Sequence, residues 1–115
     1  MEYKQRDKQG PMRIAATLRE TEQACMALIE TEIEIAFSFL RLGEVETCGG
    51  NHEHATELIA KALVTHNVAL KYIQNMRPEF EEEKSELCRE TRRLFEAVRD
   101  TERHRRQSSS EVLTT

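Results

Sequence analysis

The chain has 115 residues, 38% of them hydrophobic and 33% charged, with a formal net charge of -4. That length fits one domain with a modest core, and so mild a charge excludes any partner read from charge alone. Four Gly, two Pro and no Trp point to an all-α fold, while no apolar run approaches the ~18 residues of a membrane span.

Residues 1–10 are charged and lack a helical period, so they read as a flexible arm rather than a signal peptide. The helical domain is expected over 11–106, beginning at Pro11, whose missing N–H suits a first helical position. From Met12 to Thr47 apolar residues recur at Leu18, Cys25, Leu28, Ile35, Phe39 and Leu42, with Thr21 and Glu32 completing spacings of three and four. A second stripe of Ile29, Ile33, Ala36 and Leu40 runs beside the first. Two adjacent stripes suit a helix with more than one neighbour. Gly49 and Gly50 supply the positive φ of a C-cap, and Asn51 is a good N-cap for a second helix.

That second helix is expected from about His52 to Met76, on the seam Ala55, Ile59, Ala62, His66, Ala69, Ile73 and Met76. Spacings of three and four along it signal helix–helix packing. Arg77-Pro78 breaks the pattern, because a residue before proline resists helical angles. A third helix then starts on Glu79, Glu81, Glu82 and Glu83 and ends among Arg103, Arg105 and Arg106, as the helix dipole favours. Its seam is Phe80, Leu87, Thr91, Leu94, Val98 and Thr101. The Ser-rich segment 107–115 reads as a disordered tail.

Pairing Gly43 with Ala55 and Ala36 with Ala62 makes a tight antiparallel hairpin in which paired residue numbers sum to about 98. Small residues at those points let two backbones approach closely. Over residues 36–69 the hairpin resembles a single tetratricopeptide repeat. The match falls on Phe39, Leu42, Gly43, Gly50, Ala55, Ile59, Ala62 and Leu63, with Glu46 where the family has tyrosine and Asn67 where it has proline. The resemblance implies hairpin geometry and carries over no ligand-clamp residue.

Glu32 and His66 are polar interruptions in apolar stripes, and the same register sets them opposite each other. A buried or half-buried carboxylate–imidazole pair is expected there, fixing the hairpin register. His66 also admits a phosphotransfer reading, in which a helical bundle presents it on an open face. His52 and His54 diverge by about 200° on a helix, so the H-E-H triplet does not make a metal site. Three cysteines, Cys25, Cys48 and Cys88, with no C-x-x-C, read as buried reduced thiols of a cytoplasmic protein. The third helix carries Arg89, Arg92, Arg93 and Arg99 before its final arginines, but without an aromatic platform nucleic-acid binding is a weak third reading. No phosphate loop, nucleophile elbow or paired-carboxylate motif is present. No cofactor or metal is therefore expected, and no enzyme.

Helix lengths do not match. The second helix covers the first only back to about residue 23, so Met12 to Gln23 should project, exposing Ile14, Ala15 and Leu18. Such a stripe suggests a partner, and a two-fold homodimer is the simplest one. If the first helix bends, the segment folds back into a four-helix monomer instead. The expectation is three long antiparallel helices forming a protein–protein interaction module that self-associates through apolar helix faces.

Overall fold

A computed structural model describes the backbone of residues 2–114 and the side chains of 12–109. Three helices account for it: α1 (Glu2–Cys48), α2 (His52–Gln74) and α3 (Glu81–Thr114), with a 3-10 turn at Pro78–Phe80 leading into α3. No strand occurs among the described residues. Each helix packs on the other two, and the molecule is a rod of 83 × 22 × 15 Å. The helical bounds run further than expected at both ends, taking in 2–10 and 107–114. Most of the arm and tail side chains lie outside the described residues.

The hinge forms as the residues require. Gly50 has φ +83° and is the one described residue with positive φ. The Asn51 amide donates to the Glu46 carbonyl at 2.8 Å, and the Asn51 side chain accepts from the His54 amide at 3.4 Å. These bonds satisfy carbonyls and amides that helix ends leave open. Beyond the hinge Gly43 is buried. A Cβ on it would meet Ile59 Cγ1 at 3.6 Å and the Ala55 carbonyl at 3.7 Å, so the expected pairing of Gly43 with Ala55 holds. Ala36, Ala55 and Ala62 are wholly buried.

The seams of α2 and α3 follow the expected positions. Ala55, Ile59, Ala62, Ala69 and Ile73 are buried, as are Phe80, Leu87, Thr91, Leu94, Val98 and Thr101. On α1 the buried row is Met26, Ile29, Ile33, Ala36 and Leu40, continued by Gly43 and Thr47. The longer stripe through Leu28, Ile35 and Leu42 stays exposed, which corrects the expectation that Leu42 packs inside the hairpin. Close approach at Ala36 and Gly43 sets the rotation of α1, and residues one position earlier turn about 100° out of the core.

The first helix runs without interruption from Glu2 to Cys48, about 70 Å at 1.5 Å per residue. The bent, four-helix alternative is therefore excluded. The protrusion begins somewhat earlier in the chain than residue 23. Tyr72 Oη donates to the Glu22 carbonyl at 3.3 Å, and Arg77 Nε lies 3.2 Å from Glu22 Oε1. Ala15 and Leu18 edge a shallow depression against Arg77 and Phe80, yet Met12, Ile14 and Leu18 remain exposed.

Candidate interaction surfaces

A heptad row on α1 is left mostly uncovered by its own chain, with only Cys25 and Phe39 half-buried. Ile14, Leu18, Thr21, Cys25, Leu28, Glu32, Ile35, Phe39 and Leu42 follow one another by four and three residues. Such a row holds one face of a helix over many turns. Leu28 is 58% exposed and Leu42 52%, with Ile14, Leu18 and Ile35 also exposed. From α2, Val64 and Val68 join this face; with Leu28 and Glu32 they line one shallow groove. Phe39 is half-buried, with the Lys61 ammonium 5.6 Å from its ring centre, close enough for a cation–π contact.

Glu32 and His66 do not pair. No hydrogen bond or ion pair joins them among the described residues, and Glu32 is exposed. The hairpin register is the expected one, but α2 stands between the two side chains. Glu32 lies at the groove beside Val64 and Thr65. His66 turns to α3, its ring 5.0 Å from that of Phe95, and its Nδ1 lies 3.1 Å from Asn67 Oδ1. A seam position on a helix with two neighbours can face either one, and apolar residues of α1 already fill the other side.

At the hinge, His54 Nδ1 lies 3.5 Å from Glu46 Oε1, while His52 is half-buried with an unpartnered Nδ1. Among the described residues no group of three His, Cys, Asp or Glu side chains could hold a metal ion. The cysteines at 25, 48 and 88 are free thiols, but none is buried as expected: Cys25 and Cys88 are half-buried at the edges of the helix seams and Cys48 is exposed at the hinge.

The α3 surface has two electrostatic regimes. Glu102 receives Arg105 Nη2 at 2.6 Å and Arg106 Nε at 3.0 Å. The Arg105 hydrogen bonds, above all, hold its carboxyl below the usual range. Glu90 sits where α3 meets α1. Burial, then the charges of Glu30 and Glu86, push its carboxyl upward against the opposing pull of Arg93. On the α2 side, Leu63 and Phe95 edge an apolar groove rimmed by Arg99, Arg103 and Arg106. The arginines are plain in the sequence. The place of two of them beside a groove is signalled only by the seven-residue spacing of Arg99 and Arg106, a pattern that solvated helix surface also shows.

Among the described residues no helix is long and apolar enough to cross a membrane. Comparison with protein-family models, curated proteins and solved structures finds no match.

Proposed function

We propose that this chain is a non-enzymatic protein–protein interaction module of the cytoplasm, and that it forms a homodimer through the uncovered heptad row of α1. The single observation that carries this reading is the pair of parallel rows on one helix. One is buried by α2 and α3, and the other is wet at Ile14, Leu18, Leu28, Ile35 and Leu42. A row with 3.5-residue spacing is what a second helix packs into, and an exposed apolar patch of this kind marks an interaction site. A second copy supplies the same row by a two-fold axis without any new surface. Ile14, Ala15 and Leu18 on the protruding end of α1 extend that dimer surface. The tetratricopeptide-like packing of Gly43 on Ala55 gives a stiff hairpin behind it, which supports a scaffold role rather than a chemical one.

The test is sedimentation velocity at micromolar concentration. The wild-type chain is expected as a dimer, and the double variant Leu28→Glu/Ile35→Glu as a monomer with unchanged helical circular dichroism. A wild-type monomer, or a double variant that stays dimeric, would remove this reading.

A further inference from the structure

A second face of the rod is built for a different occupant. The groove between α2 and α3 is edged by Leu63 and Phe95, both partly exposed, and Leu70, also partly exposed, continues the row of Leu63 two turns further along α2. His66 lies half-buried against Phe95 between those two leucines. Leu63 and Leu70 are seven residues apart on α2, and Cys88 and Phe95 seven apart on α3. These are heptad spacings beside the main seams, the geometry of a fourth helix completing a bundle.

The rim states the chemistry of that helix. Arg99, Arg103 and Arg106 rim the groove, and Arg92 continues the seven-residue row of Arg99 and Arg106 toward the start of α3; all four are exposed. Arg99 leans over the Phe95 ring at 5.9 Å. Arg92, Arg99 and Arg103 form no ion pair among the described residues, although Glu96 lies one turn away on the same helix. Glu102, the acid bordering the groove, is already held by Arg105 and Arg106. In helix pairs, charges flanking the apolar seam select a partner with opposite charges at the matching heptad positions.

We infer that the α2–α3 groove docks an amphipathic helix of another protein, whose leucine-type side chains cover Leu63, Leu70 and Phe95 and whose glutamates, seven residues apart, meet Arg92, Arg99 and Arg106. The apolar floor favours a peptide over nucleic acid. A phosphate backbone would gain the guanidiniums but leave the floor without apolar contact, and no flat aromatic platform invites its bases.

The experiment uses the whole chain and a labelled synthetic helix of about three heptads, with Leu at seam positions and Glu at flanking ones. Fluorescence anisotropy is the readout. The glutamate peptide is expected to bind, and a lysine-for-glutamate peptide is not. The variant Arg92→Glu/Arg99→Glu leaves the Glu102 bridges intact; it should lose about tenfold in affinity for the glutamate peptide and gain binding to the lysine peptide. Leu63→Glu should weaken binding of the glutamate peptide, with circular dichroism verifying the fold of each variant. Leu28→Glu/Ile35→Glu should bind the glutamate peptide as the wild type does, which separates this groove from the proposed dimer face. The proposal is overturned if the peptide fails to bind, if both peptides bind alike, or if the arginine variant is unaffected. It is equally overturned if anionic vesicles or a single-stranded oligonucleotide bind as tightly as the peptide. If the arginine variant abolishes self-association instead, the occupant is a second copy and the inference of another protein falls.

Discussion

Two glycines near the hinge are there for different reasons. Gly50 holds φ +83°, a region where a Cβ costs about 1–2 kcal/mol, so Gly50→Ala should lower stability by that amount in urea denaturation. Gly43 has helical backbone and a Cβ-sized space, with the nearest atoms at 3.6–3.8 Å. Gly43→Ala should therefore be neutral or raise stability by up to about 1 kcal/mol, since Ala is the better helix former. Gly43→Leu should instead push α1 off α2 and cost about 1–3 kcal/mol. A destabilised Gly43→Ala would show that the hairpin is too tight to admit a methyl group. Among the charges, Glu90 is pushed above its ordinary range by burial and by Glu30 and Glu86. A raised folded pKa adds stability that is complete below the unfolded value and is lost as pH rises through the folded one. At neutral pH Glu90→Gln should melt higher than wild type, and the gap should close as pH falls through the raised folded value toward about 4.3. Glu102 works in the opposite sense: with its pKa lowered chiefly by Arg105, its contribution is present above the unfolded value and lost on acidification through the folded one.

At the level of the helix, the seams of α2 and α3 were legible because each has one dominant apolar row, interrupted by little. On α1 two rows run with the same period, offset by one residue, and hydrophobicity did not decide between them, since each carries large apolar residues. The buried row is the one in which Ala36 and Gly43 let the backbones approach, because close approach brings more atoms into contact. The difference is measurable. Leu94 is wholly buried and Leu42 is not, so Leu94→Ala should cost about 2–5 kcal/mol through cavity formation. Leu42→Ala, a surface change in the single chain, should stay within about 0.5 kcal/mol when measured by chemical denaturation too dilute for self-association. Equal costs under that condition would mean that Leu42 is in the core of the single chain after all.

Across the whole molecule, the unequal helix lengths matter most. The end of α1 carrying Met12 and Ile14 protrudes beyond the turn that joins α2 to α3, whose last hold on α1 is through Tyr72 and Arg77 at Glu22. Amides of residues 12–21 are therefore expected to exchange with solvent faster than those of 26–47, since few packing contacts oppose local opening. Raising the protein concentration should slow exchange at 12–21 if that segment joins the dimer face. Fast exchange that ignores concentration would limit the proposed interface to Leu28, Ile35 and Leu42.

The sequence by itself determined the helical class, the hinge at Gly50 and Asn51, and the register that sets Gly43 on Ala55, because all of these follow from local geometry and from spacing along one helix. Only the tertiary structure decided how each helix is rotated about its axis. That rotation left the longer apolar row of α1 in water, turned His66 to Phe95 instead of Glu32, and made a groove of Leu63, Phe95 and the arginines. The reason is physical: periodicity fixes which residues share a face, but which face is buried depends on where two other helices can both make their closest approach.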